Sequence, residues 1–333
     1  MKIALIAITR GGKELALELA DRLDGATLLA QAEGQKVAEL IAANWHCYDG
    51  LICIMATGIV VRAIAPLLRD KHIDPCVVVM DEKGRHAISL LGGHVGGGND
   101  LARRVAILTG GTPVITTASD TLSLVALDLW ADEQNLLPPS REKLTAAATL
   151  LVNHGELHIY TDETVLSLPP GLTRVNEPEQ ADIIVSTSTR YADGATIFRP
   201  RTLVVGIGCN RGTPAGEFEE ALGELLADLQ LSRASIRNLA SIDKKNDEPG
   251  LLQFAVDNRW QIEFFPGEQI NTLNNLVISF VALKAVGAIG VAEPTALLSA
   301  QSNHLESRKR KWKNVTMAIA RAPFSLSEQA PEQ

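Results

Sequence analysis

Between Ser89 and Ala102 the chain runs SLLGGHVGGGNDLA, five glycines in seven positions around His94. Each glycine costs roughly 0.5–1 kcal/mol of chain entropy relative to alanine wherever the backbone becomes ordered. Such a run calls for a positive φ or for something that approaches the bare backbone closely. The apolar residues before it predict a strand over 86–90. After it, Leu101, Val105 and Leu108 share one helical face, with Asn99 as the expected N-cap. Strand, glycine turn and helix N-terminus together offer backbone N–H groups to an anion. An imidazole at the mouth of that turn has general acid or base chemistry available to it. Gly92, Gly93, Gly96, Gly97 and Asn99 are therefore candidate ligand contacts, and His94 is the candidate base. The plainer alternative is a tight turn carrying a solvent-facing histidine.

Other stretches offer related chemistry. In ATGIVVRAIAPLL (56–68), Thr57 is the expected cap, Gly58 opens a helix and Arg62 lies one turn in, where its planar fork suits a carboxylate. In GIGCNRGTP (206–214) the spacing is GxGxxxG, which is not a dinucleotide fingerprint, and no Walker lysine follows. There Gly208 and Arg211 are candidate ligand contacts. Cys209 is either a nucleophile or, more simply, a small residue packed in the turn. LASIDKKNDEPGL (239–251) adds Ser241 and Lys244. Glu293 precedes Pro294 at a predicted helix start, where a carboxylate is favoured by the helix dipole. The run SRKRKWK (307–313) is expected to be a solvated edge.

The elements that must position these residues follow from periodicity. Ile3–Ile8, Gly50–Met55, Cys76–Met80 and His86–Leu90 predict strands. Leu15, Leu19 and Leu23, and Val37, Leu40 and Ile41, fall on helical faces between them. That alternation predicts an α/β domain with a largely parallel sheet over 1–135. A weakly patterned middle region and linker, 136–201, has an expected helix near 143–153 and short strands near 157–160 and 183–187. A separate C-terminal α/β domain, 202–323, opens with a strand, a glycine turn and a helix capped by Thr213. A polar tail, 324–333, is expected to fray.

Composition narrows the function. A net charge of −8 and 4% aromatic residues exclude a general nucleic-acid binder and a base-stacking platform. No apolar run reaches the ~20 residues of a membrane span. The apolar N-terminus is interrupted at Arg10, too early for a signal peptide, so the expected location is the cytoplasm. The four cysteines show neither CxxC nor metal-ligand spacing, so neither a disulfide framework nor a structural zinc is expected.

Taken in order, ATGIVVRAIAPLL, LLGGHVGGGNDLA, TGGTPVITTASD, VVGIGCNRGTP, LASIDKKNDEPGL, GVAEPTALL and KNVTMAIAR resemble the CbiG family, the cobalt-precorrin-5A hydrolases of anaerobic cobalamin biosynthesis. The resemblance spans roughly 50–120 and 203–321. It departs at QSNHLESRKRK (301–311), where the family usually has a more apolar strand and fewer basic residues. It implies opening of a δ-lactone on a cobalt tetrapyrrole, with a two-carbon fragment lost as acetaldehyde. It implies no organic cofactor, and it implies that the cobalt belongs to the substrate. An anionic macrocycle would suit the glycine turns and arginines. His94, beside the N–H groups of Gly96 to Gly98, would supply a base and an oxyanion site, and Glu293 is the second candidate catalytic group. The alternative is a non-catalytic carrier of a tetrapyrrole intermediate. A homodimer and transient contact with neighbouring pathway enzymes are both compatible with the sequence.

Overall fold

The apolar runs of the first eighty residues become strands buried on both faces. The computed structural model describes residues 1–70, 73–94, 96–117, 122, 124–191, 194–273 and 276–327. The chain divides into two units, Met1–Leu129 and Trp130–Gln333. In the first unit β1 (Ile3–Ala7), β2 (Ala26–Leu28), β3 (Gly50–Ile54), β4 (Cys76–Met80), β5 (His86–Leu91) and β6 (Thr112–Val114) form one sheet in the order β2-β1-β3-β4-β5-β6. Strands β1 to β4 run parallel. β5 turns back antiparallel to β4, and β6 follows β5 in parallel.

Helices on both sides account for the continuous burial of β1, β3 and β4. Ile3, Leu5, Ile52, Ile54 and Val78 pack against Leu19, Leu101 and Val105 on one face. Their neighbours Ala4, Ile6, Leu51, Cys53 and Val77 pack against Ile41, Trp45 and Val60 on the other. The strands unforeseen by periodicity, β2 and β6, are three-residue edges, too short for a pattern. Pro113 is tolerated in β6 because that strand is an edge.

The second unit holds, among the described residues, two five-stranded sheets and a two-stranded one. β7 (Leu136–Leu137), β8 (Leu157–Thr161), β10 (Leu172–Arg174), β11 (Ile183–Val185) and β12 (Ile197–Pro200) form a sheet in the order β10-β8-β11-β12-β7. The helix predicted at 143–153 is present as Arg141–His154. β13 (Leu203–Cys209), β14 (Ile236–Ile242), β15 (Ile262–Phe265), β16 (Leu305–Lys311) and β17 (Val315–Arg321) form the C-terminal sheet, ordered β15-β14-β13-β17-β16. The helices Ala215–Leu229 and Pro249–Asn258 cover one face of it through Phe218, Leu222, Leu225 and Phe254. The Ala292–Ala300 helix covers the other. That helix lies so close that a Cβ at Gly206 would fall on the Ala292 carbonyl. No helix among the described residues is long and apolar enough to cross a membrane.

Several expectations about caps and ends need correction. The Gly98–Thr109 helix starts before Asn99, and its N-cap is Gly97 at φ +74°. Asn99 is instead buried in the first turn, its Nδ2 3.1 Å from Thr117 Oγ1. Thr57 is the first helical residue after an Ala56 N-cap. Pro214 occupies the N-cap expected for Thr213, whose hydroxyl donates to the Asn210 carbonyl at 2.8 Å. Within the expected tail, β18 (Ser325–Leu326) pairs with β9 (Thr164–Val165), and residues 328–333 lie outside the described residues. So do residues 118–120 of the TGGTPVITTASD motif and Val95 of the glycine loop.

Candidate functional site

The direction of β5 decides where the glycine loop sits. Val77 of β4 pairs with Leu91 of β5, so the loop that follows Leu91 lies beside Cys76, at the start of β4. The glycines answer mostly to one another. A Cβ at Gly92, which has φ +64°, would lie 2.9 Å from Cys76 Cα; at Gly96 it would lie 2.8 Å from the Gly92 oxygen; at Gly98, 2.9 Å from the Leu91 oxygen. A Cβ at Gly93 would meet Asn99 Oδ1 at 2.7 Å. The bare backbone is needed because the loop folds onto itself and onto β4. The Gly97 N–H donates to the His94 carbonyl at 2.9 Å, and the Gly98 N–H to the Gly92 carbonyl at 2.9 Å. Two of the three N–H groups expected to face an oxyanion are thus engaged within the loop. His94 is half-buried.

Thr57, Gly58 and Arg62 lie at the opposite end of the same sheet, after the end of β3. The two motifs are separated by the length of a five-residue strand, about 16 Å. A cavity of about 470 Å³ opens where β1, β3 and β4 end, walled by Ile8, Thr9, Met55, Thr57, Asp81 and His86 among others. That is where ligands of parallel sheets collect. The His86 ring stands 3.4 Å from Asp81, a pair that sequence reasoning missed. Partial burial works against the Asp81 charge, but the backbone N–H groups of His86, Lys83 and Arg85 outweigh it and hold the carboxyl below its usual range. Arg62 is exposed and donates back to the Gly58 carbonyl at 2.9 Å, outside the walls of this cavity.

In the second unit a cavity of about 380 Å³ gathers Gly208, Cys209 and Glu293 from the predicted residues. Its walls are the end of β13, the segment 276–291, the start of the Ala292–Ala300 helix, and the β16–β17 hairpin. Glu293 is buried, and its Oε1 accepts the Lys309 backbone N–H at 3.0 Å. Cys209 is half-buried, and burial pushes its thiol up to about 11, so at neutral pH it is not a thiolate nucleophile. Lys309, Lys311 and Lys313 line the same cavity. They belong to the run expected to be a solvated edge, and all three are exposed as expected. Lys245 also lines it, buried, with Nζ 3.2 Å from Glu248 Oε2. The sequence signal for the lysines was present: an alternation of period two on a strand.

The remaining predicted residues do other work. Ser241 is fully buried and donates to the Ile207 carbonyl at 2.8 Å, tying β14 to β13. The Arg211 guanidinium pairs with Asp247 and donates to the Lys244 carbonyl at 2.9 Å. A substrate carboxylate at Arg211 would have to displace Asp247. Lys244 is exposed and donates to the Val286 carbonyl at 3.0 Å, at the end of the Phe280–Val286 helix. Glu248, wholly buried, accepts the Gly212 N–H at 2.7 Å and so anchors the glycine turn after β13. Among the described residues no cluster of three metal-ligating side chains occurs.

Residues 39–120 match the family model described as Cobalamin synthesis G N-terminal, and residues 203–320 match the one described as Cobalamin synthesis G C-terminus. Fold and matches together define an α/β protein of cobalamin synthesis. The cobalt-precorrin-5A hydrolase of Priestia megaterium is 33% identical over 355 residues, covering 96% of this chain and 95% of that protein. The enzyme of the same name from Salmonella typhimurium is 32% identical over 343 residues, covering 96% and 97%. A crystal structure of a cobalamin biosynthesis protein G homolog from Sulfolobus solfataricus aligns over 96% of this chain and 97% of that one, at 22% identity and a TM-score of 0.38. The chain belongs to the CbiG family, cobalamin synthesis G, and is a hydrolase of cobalamin biosynthesis.

Proposed function

We propose that this chain opens the δ-lactone of cobalt-precorrin-5A with water, the two-carbon fragment leaving as acetaldehyde, to give cobalt-precorrin-5B. The observation that carries the reading is the C-terminal cavity, whose largely apolar wall stands beside three lysines of one hairpin. A flat tetrapyrrole with acetate and propionate groups at its edge presents the complement of that surface. The near full-length relatives named cobalt-precorrin-5A hydrolase support the same substrate. In this proposal His94 is the water-activating base and Glu293 is the second catalytic group. No cofactor is assigned, since the cobalt travels with the substrate. The protein works in the cytoplasm on an anionic small molecule.

The test is turnover. Purified full-length protein mixed with a large excess of the cobalt lactone should release acetaldehyde through many cycles, measured by a coupled aldehyde dehydrogenase. A yield that stops at one equivalent per chain would make the protein a carrier and overturn the hydrolytic reading.

A further inference from the structure

We propose that Lys309, Lys311 and Lys313 form a rim that reads carboxylates, and that the C-terminal cavity selects its ligand by the number of carboxylates on the edge of a flat apolar macrocycle. The identity of the natural ligand rests on the function proposed above; the geometry of the rim does not.

Side chains alternate in their surroundings along the β16–β17 hairpin. Arg310 pairs with Asp228 at 2.6 Å, the Trp312 indole donates to Glu224 at 2.6 Å, and the Asn314 amide donates to both oxygens of Glu217 at 3.0 and 2.9 Å. Every even-numbered residue from 310 to 314 is thus met by one acidic face of the Ala215–Leu229 helix. The odd-numbered lysines point to the cavity instead. Among the described residues none of the three has an ion pair. In a protein of net charge −8, three cations without ion pairs, set on one cavity against the single carboxylate of Glu293, are a local reversal of sign.

Their placement is held from below. The register of β16 against β17 shifts between Ser307 and Arg310. At that bulge the Lys309 N–H is taken up by the buried Glu293 carboxylate. Bulges of this kind re-aim side chains beside binding sites.

The opposite wall supplies the second requirement. Val281, Val286 and Ile289 line the cavity, and the adjoining Val277, Ile278 and Phe280 are exposed by 66%, 49% and 80%. An exposed apolar surface of this kind marks a binding site. A lone phosphate would use the lysines and leave that wall wet. A neutral lipid would cover the wall and leave the lysines without partners. A flat macrocycle with several carboxylates at its edge satisfies both.

The probes are uroporphyrin, with eight carboxylates, and coproporphyrin, with four, titrated by fluorescence into the full-length protein. The wild type should bind the octacarboxylate more tightly, with affinity falling as salt is added. The triple variant Lys309→Gln/Lys311→Gln/Lys313→Gln should lose roughly tenfold for the octacarboxylate, since exposed pairs each contribute little. Its preference over the tetracarboxylate should collapse. The triple variant Arg10→Gln/Lys13→Gln/Lys36→Gln removes the same charge from the first unit and should bind as wild type. Lys311→Gln alone serves if the first triple variant does not fold. Unchanged affinity and salt slope in the rim variants, or equal losses in the control, would overturn the rim. Lysine-dependent porphyrin binding without catalytic acetaldehyde release would remove the hydrolytic reading and leave the rim standing. Wild-type turnover and KM in a rim variant with unchanged porphyrin affinity would do the reverse.

Discussion

The Glu293 carboxylate accepts the backbone N–H of Lys309 at 3.0 Å, joining the first turn of the Ala292–Ala300 helix to the bulge in β16. Removing the acceptor strands a partly buried N–H, at a cost of about 1–2 kcal/mol. Glu293→Ala should therefore lower the denaturation midpoint and weaken porphyrin binding through the displaced lysine. Glu293→Gln keeps a carbonyl oxygen for the same bond and should stay near wild type in stability. If glutamine abolishes turnover while stability and binding hold, the carboxylate takes part in the chemistry as well.

His94 has a sharper signature. As a general base its removal should cost roughly 10²–10⁴-fold in turnover. Porphyrin affinity should be unchanged in His94→Ala, because the cationic rim belongs to other residues. Full turnover in a folded His94→Ala variant would retire the histidine as base.

The two left-handed glycines of the same loop should respond unequally to alanine. At Gly97 the new Cβ meets only the flexible end of Met1, so the loss is mainly the left-handed backbone, about 1–2 kcal/mol. At Gly92 it meets the Cys76 main chain at 2.9 Å in addition to the φ of +64°. Gly92→Ala should therefore be clearly the less stable of the two by chemical denaturation. Equal stabilities would mean that β4 yields at Cys76.

Cys209 makes a pH prediction. Its folded thiol is raised from 9.0 to about 11 by burial, with the nearby Lys245 charge acting weakly in the other direction. Because the folded value is the higher one, this contribution to stability is complete below pH 9. It is lost as pH rises from 9 through about 11, where the unfolded thiol ionises first. Iodoacetamide at pH 8 should label exposed Cys47 well before Cys209, as read by peptide mass. Cys209→Ser should keep its turnover. Rapid labelling of Cys209 at pH 8 would contradict the buried, protonated thiol.

Much of the architecture was legible from residue patterns. β4 lies at the predicted residues, and β1, β3 and β5 lie within one residue of prediction at each end. The buried runs and intervening helical faces are strong signals because both sheet faces are covered. What escaped was the direction of β5, and with it the end of the sheet that carries the glycine loop. The clue was the connection 81–85: five residues make a hairpin and cannot make a parallel crossover. The lysine rim escaped for a different reason. A strand alternates its side chains whatever lies beside it. Only tertiary packing shows that Glu217, Glu224 and Asp228 engage one face of the hairpin and leave Lys309, Lys311 and Lys313 on the other. His86 and Asp81 were similarly invisible, five residues apart on either side of a turn whose tightness brings them to one cavity.

The contact at Gly206, where β13 touches the Ala292 carbonyl without room for a methyl group, bears on any attempt to re-engineer the C-terminal cavity. Any side chain at 206 would push the Ala292–Ala300 helix off the strand and disturb the cavity wall that begins at its first turn. Widening the cavity for a bulkier guest therefore means carving the facing side, at Val281 or Ile289. A combinatorial library should leave position 206 untouched and spend its diversity there.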